Sequence, residues 1–346
     1  MSTDSYQLQS TLSNELCFWL FHWSLPVLRG VLPTEYFVHF SLLVTGCRLL
    51  CQSYISREQI EEARKLLLKF YQIYEVLYGT KAVTMKVHLL QHLPDVVEKW
   101  GALWGHSCFW YESLNGVLKR FVHSTRFVCS QVASVVMIIK TISDVLPSLT
   151  DQLLAPPVVR LATKFGLIWS PFELEDSVKV FCLPDLFVDP INVVLRRLGN
   201  EEVCCSSLVK TVGRLKLAGH VIQSKKSHVT KKNSYTVEFT ECHEEQPLFG
   251  YVLLFIIFGC EQFAVIQQLK LDEWPLLHND DDCMTDVVDA YSNLQELIEK
   301  HLLPAQETQD LVAIPVGDIT AQVVCMKMLV SSCVFVSRFP NIIECD

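Results

Sequence analysis

The chain has 346 residues, 50% of them hydrophobic and 19% charged, which is enough for two cores of ordinary size and too apolar for global disorder. Its formal net charge of −9 argues against a general polyanion-binding surface and leaves only a local basic one. Its 14 cysteines are scattered with no CxxC, the pattern of reduced thiols in an intracellular protein and not of a disulfide framework.

Met1 to Ser13 is polar, and the apolar stretch behind it contains Glu15, His22 and Arg29, so no secretory signal is expected there. Ser13 can cap a helix through Trp23, ending before Pro26. Pro33 suits a first helical turn, and Tyr36, Phe37, Phe40, Leu43, Val44 and Leu50 follow at helical spacing. Ser56-x-x-Gln59 is a capping box; Ile60, Ala63, Leu67, Phe70, Tyr74 and Leu77 then recur with a 3–4 rhythm, and Gly79 closes the helix. Further helices are predicted from Thr84 to Trp100 with a bend at Pro94, from Ser107 to His123, from Cys129 to Leu146 and from Thr150 to Phe165. Residues 170–200, with Pro171, Pro184 and Pro190, read as a connector.

Beyond Gly199 the period changes. Tyr235, Val237 and Phe239 alternate with polar residues, and Tyr251–Phe258 and Phe263–Leu269 read as paired strands around Gly259. Leu248–Cys260 is the most membrane-like run, but it is too short to span roughly 30 Å of hydrocarbon as a helix and reads as a buried strand and turn. Asp280-Asp281-Asp282 reads as a solvated loop, Asp286–Leu302 as an amphipathic helix, and Leu311–Val316, Ile319–Met326 and Cys333–Arg338 as strands. The expected fold is α+β: an all-α region over 1–168, a connector over 169–202, and a mainly-β, barrel-like domain over 203–346.

Four features could carry chemistry. Glu112 stands among aromatics, including Phe109 and Trp110; it is either a metal-binding acid or a partly buried carboxylate paired with Lys119 or Arg120. His88-x-x-x-His92 and Cys47-x-x-x-Cys51 have the helical spacing of metal pairs, or are packed core residues. Cys108 near His106 and His123 could be a thiol nucleophile, though nothing marks an oxyanion hole or an orienting acid. From Val203 to Val237 there is no Asp or Glu, while Lys210, Arg214, Lys216, Lys225, Lys226, Lys231 and Lys232 fall inside. That segment is either a phosphate-contacting surface or a solvated edge guarded by lysines.

Three stretches are shared with one family: Trp23-Ser-Leu-Pro-Val-Leu-Arg-Gly-Val-Leu-Pro33 with Tyr36 and His39-Phe40; His88-Leu-Leu-Gln-His92-Leu-Pro with Trp100-Gly-x-Leu-Trp-x-His106-Ser and Phe109-x-x-Glu112-x-x-Asn115-Gly; and Ile314-Pro-Val-x-Asp318-Ile with Arg338-Phe-Pro-Asn341. Together with Lys231-Lys-Asn-Ser-Tyr-Thr-Val237 they resemble the region after the catalytic core in animal transposases of the CACTA (En/Spm-like) group. The resemblance implies an RNase H-like core in which three carboxylates hold two divalent metals. Glu112 sits at the start of a predicted helix, where the third acid of such a core is expected; the first two have no counterpart, since only Asp4 precedes Asp95. One carboxylate cannot hold two hard dications. The resemblance therefore implies a transposase-derived protein that does not cut DNA by itself and needs no cofactor, with DNA, the catalytic core or another protein as partner and the nucleus as destination. It also implies an apolar patch on the amino-terminal helices, left where another domain would pack. The competing expectation is a protein-interaction module that binds a peptide along a sheet edge and has no DNA role.

Overall fold

The structure is a computed structural model of the chain; it describes residues 15–106, 119, 122, 124, 126–145, 172–175, 179–197, 202–204, 207–217, 220–226, 234–241, 246–258, 261–272, 293–328 and 333–340. The architecture is α+β, with helices in the amino-terminal half and a closed six-stranded antiparallel barrel behind them.

The first helix, α1 (residues 15–28), does not stop before Pro26 as predicted. It passes through a π turn at Trp19–Trp23 and continues as Ser24–Leu28. In the five-residue π spacing, the donor to the Phe21 carbonyl would be residue 26, and a proline there has no N–H. Arg48 Nη1 donates to that carbonyl instead, at 2.9 Å. The chain can therefore keep its helical course without an orphaned acceptor at this point.

Helix α2 (Thr34–Leu50) packs along α3 (Arg57–Tyr78). Gly46 permits the close approach: a Cβ there would stand 2.9 Å from the Leu67 side chain. The predicted capping box of α3 is present. Ser56 Oγ accepts from Gln59 N at 3.2 Å, Gln59 Oε1 accepts from Ser56 N at 2.8 Å, and Gly79 ends the helix at φ 81°. The predicted bend at Pro94 is a break, with α4 (Met85–Leu90) separate from α5 (Leu93–Trp100) and Pro94 in the first turn of the latter. Helix α6 (Val128–Val145) matches the predicted Cys129–Leu146 segment. Of the predicted helices at 107–123 and 150–165, only residues 119 and 122 are among the described residues.

The expected connector is structured. It holds β1 (Phe172–Glu175), β2 (Lys179–Cys182) and α7 (Asp185–Arg197). Pro190 lies inside α7 and removes one helical bond; burial of Ile191, Val194 and Leu195 against β8 and β9 outweighs that loss. The basic segment supplies β3 (Leu208–Val212), β4 (Arg214–Leu217) and β5 (His220–Gln223). The remaining strands are β6 (Thr236–Phe239), β7 (Leu248–Phe258), β8 (Glu261–Leu271), β9 (Leu302–Pro315), β10 (Ile319–Lys327) and β11 (Cys333–Arg338). Strand β9 starts nine residues earlier than expected, and the helix before it, α8, covers 293–299.

Around the barrel the order is β6–β7–β8–β9–β11–β10, and β10 pairs back onto β6. Strands β2 and β3 extend from the far half of β7, and β1, β4 and β5 form a separate small sheet. Phe249, Tyr251, Leu269, Ala305, Val323, Val334 and Val336 form one cluster drawn from five of the six barrel strands. Only the inner face of a closed sheet can bring them together. The outer face is covered on one side by β4 and β5 through Leu215 and Ile222, and on another by the helices. That second contact is the main departure from the expected two separate cores. Val324, Met326 and Phe335 of the barrel and Leu302 share one core with Leu25, Leu42, Leu50 and Leu67.

Gly250 sits in β7 where a Cβ would meet the Ile266 side chain and, at 2.6 Å, the Gln267 carbonyl oxygen. Backbone cannot yield as a flexible side chain can, so Gly250→Ala is expected to lose about 2–3 kcal/mol in urea unfolding. An unchanged midpoint and slope would contradict the strand register.

Candidate functional site

Glu112, Cys108 and His123 lie outside the described residues, as do Lys231 and Lys232. His106 ends a short 3₁₀ turn, and its Nε2 donates to the Trp100 carbonyl at 2.7 Å. Nearby, Trp104 Nε1 donates to the Gln52 carbonyl at 3.3 Å.

The two metal-spaced pairs do not converge. His88 and His92 have ring centroids 5.2 Å apart, but the break between α4 and α5 separates them. His88 Nδ1 meets Tyr71 Oη and Gln91 Nε2, and His92 faces Asp95 at 3.4 Å. Asp95 is held below the usual carboxylate range by its hydrogen bond from Arg64. Cys47 is pushed up to about 12 by burial, and Cys51 is buried in the same helix. Among the described residues no group of three His, Cys, Asp or Glu side chains gathers as a metal site would.

Five of the seven predicted phosphate-contacting residues are described. Strand β4 pairs with β1 so that Arg214 stands opposite Glu175 and Lys216 opposite Glu173. The basic segment in sequence is thus opposed by acidic residues from the connector at those two positions. Lys210, Lys225 and Lys226 are exposed. They follow one edge of β7: β6 pairs with residues 248–251, Lys225 and Lys226 donate backbone N–H to the Val252 and Leu253 carbonyls, and β3 pairs with 255–257, where Lys210 stands opposite Ile257. The Lys225 ammonium also lies 4.9 Å from the centre of the Tyr251 ring.

Inside the barrel, Tyr251 Oη lies 3.1 Å from Cys325 Sγ and donates to Glu307 Oε1 at 3.2 Å; Lys327 pairs with Glu307 at 3.3 Å. Burial pushes the Tyr251 phenol up strongly and the Cys325 thiol up to about 11. Both stay protonated at neutral pH, so this thiol is a packed donor and not a nucleophile.

The densest buried polar group lies on the seam between the helices and the barrel, and sequence reasoning missed it. Arg48 is wholly buried in α2. Its Nη1 donates to the Phe21 carbonyl and its Nη2 to the Arg338 carbonyl. His22 Nδ1 meets Ser337 Oγ at 2.7 Å, and the His22 ring packs on Phe339 with centroids 5.0 Å apart. The Arg338 side chain turns away from the seam, binds Glu238 through two nitrogens at 2.7 and 3.2 Å, and lies over Phe249. The available signal in sequence was one charge, Arg48, in the mostly apolar run from Phe37 to Cys51.

Burial lowers the Arg48 guanidinium to about 9. His22 and His301 are both held well below the usual histidine range, first by burial and then by the Arg48 charge. The His301 ring is partly exposed as a whole, but its Nε2 is shut from solvent and has no partner among the described residues. Beside it runs a cleft of about 300 Å³ between α2, α3 and α8.

In comparisons with known proteins, the chain matches no protein family, no curated protein and no solved structure. Among the described residues no helix is long and apolar enough to cross a membrane.

The seam gives stability a definite pH dependence. His22 and His301 are neutral in the fold, whereas an unfolded histidine takes up its proton near pH 6.5. Their contribution is complete above that value and is lost progressively as pH falls below it, because the unfolded chain then binds protons the fold refuses. Urea unfolding at pH 7.5 and 5.5 is expected to show a loss of about 2–3 kcal/mol at the lower pH, and His22→Asn with His301→Gln should reduce it, leaving the smaller share of His39, which burial also lowers. Equal stability of the parent protein at both values would contradict the assignment.

Proposed function

We propose that this chain acts by binding and not by bond-making: a transposase-derived module that assembles with another polypeptide through α1. One observation carries this reading. Leu16, Trp19, Trp23 and Val27 recur at intervals of three and four along α1 and are all exposed, Leu16 at 59% and Trp23 at 40%. The opposite side of α1 already buries Phe21 and Leu25 in the shared core. A helix apolar on both sides is ordinarily covered on both, and this spacing is the one by which helices anchor in a partner's groove. Val31, 70% exposed, extends the stripe beyond the helix.

The resemblance supplies the origin, and the spatial arrangement supports treating its separate stretches as one unit. The first stretch begins beside His22, the last contains Arg338 and Phe339, and these residues meet on the seam.

A second role is favoured by the edge of β7. Lys210, Lys225 and Lys226 stand along roughly 17 Å of strand, a spacing over which exposed ammonium groups can contact successive phosphates of one nucleic-acid strand. This reading separates a DNA-contacting module from one that binds only protein.

Light scattering behind size exclusion, alone and with added transposase catalytic core, tests the assembly role. Trp19→Ser with Trp23→Ser is expected to abolish the larger species while leaving unfolding unchanged; an assembly indifferent to that pair would refute the stripe. For the nucleic-acid role, filter binding between 50 and 200 mM salt is expected to give a log–log slope near −3 on duplex DNA. Lys225→Gln with Lys226→Gln should bring it toward −1, whereas no retention at 50 mM would leave the protein-only reading.

A further inference from the structure

The cleft beside Arg48 has features that neither the assembly stripe nor the lysine edge uses. It is lined by the buried Thr45 and Arg48 of α2, by Lys300 and His301, and by Glu58 and Glu62 of α3. Thr45 is fully buried, and its Oγ1 has no hydrogen-bond partner. His301 Nε2, on the same cleft, is also shut from solvent without a partner, although the imidazole has a backbone hydrogen bond at Leu297. Buried polar atoms without partners are rare in folded proteins, and two on one cleft point to a group that satisfies both.

The charges indicate the sign of that group. Among the described ion pairs Arg48 has no carboxylate partner; the two hydrogen bonds it makes are to backbone carbonyls, which leaves part of its five-donor fork uncommitted. Lys300 adds a second cation at the mouth, where it reaches Glu296 at 3.0 Å. The two acids of the lining are placed differently. Glu62 is already bonded by Asn293 and by Lys65, and Glu58 stands fully exposed at the first turn of α3. The deep end of the cleft is therefore cationic and donor-rich, and its outer rim is acidic.

We propose that this cleft binds a small molecule through a carboxylate or phosphate group, seated on Arg48 and Thr45 with Lys300 closing over it. The volume of about 300 Å³ admits a metabolite-sized ligand and no polymer. The acidic rim disfavours a second anionic end and suits an ammonium or hydroxyl group there. The site stands independently of the assembly role.

Isothermal titration of the full chain at constant ionic strength, with inorganic phosphate and with malonate, tests this. At least one probe is expected to bind one-to-one with a Kd below about 1 mM. Phosphate alone would assign a phosphorylated ligand, and malonate alone a carboxylate. Thr45→Val removes the hydroxyl without removing a bond within the protein and is expected to weaken binding about tenfold with no loss of Tm. Lys300→Gln, at the surface, should weaken it several-fold. Absence of binding by both probes up to 10 mM would overturn the proposal, as would parental affinity in both variants.

Discussion

The structure depends on how one buried cation is accommodated. Arg48 lies in the interior of a helix whose neighbours are nearly all apolar, and a guanidinium removed from water must be surrounded by oxygens. Here they are the carbonyls of Phe21 and Arg338, which belong to the first helix and the last barrel strand. Meeting that requirement brings together parts of the chain 27 and 290 residues away. The other seam features follow: the π turn that exposes the Phe21 carbonyl, the neutral His22 against Ser337, and the Arg338 side chain bound to Glu238. The helical layer is consequently not a detachable shell. It shares its core with the outer face of the barrel.

That sharing bears on function. A layer built only to cover a separate catalytic domain would leave its whole inner face exposed here. Instead the inner face shares one core with the barrel, and the exposed apolar stripe of α1 lies on the opposite side of that helix. The surface proposed for a partner is that stripe, on a helix whose other side Arg48 ties to the barrel. The basic residues are also divided between two sheets: Lys210 lies on β3 beside β7, whereas Arg214 and Lys216 lie on β4, whose register with β1 sets them opposite Glu175 and Glu173.

Local signals were legible in the sequence and long-range ones were not. The capping box of α3, the alternation of β6 and the apolar runs of β7, β10 and β11 are read from neighbours in sequence, and each stands where its pattern placed it. Pro26 and Pro190 misled for one reason: their cost is local, while the compensation, an arginine side chain in one case and burial against two strands in the other, is tertiary. Closure of the barrel through β6–β10 and β8–β9 joins strands remote in sequence, with bulges that no periodicity announces. Arg48 was visible as the one Arg, Lys, Asp or Glu between Phe37 and Cys51, but its carbonyl partners carry no side-chain signature. Thr45 and His301 were invisible for the same reason, since only the fold places them on one cleft.

The central claim is that helices and barrel form one cooperative unit joined at Arg48. It is tested most directly by urea unfolding of the full chain followed by two probes at once. Tryptophan fluorescence includes Trp19, Trp23 and Trp100 of the helices, and far-ultraviolet circular dichroism near 215 nm includes the barrel strands. Coincident transitions with one midpoint are expected. Two separated transitions, with the helical signal lost first and the strand signal retained, would contradict the account.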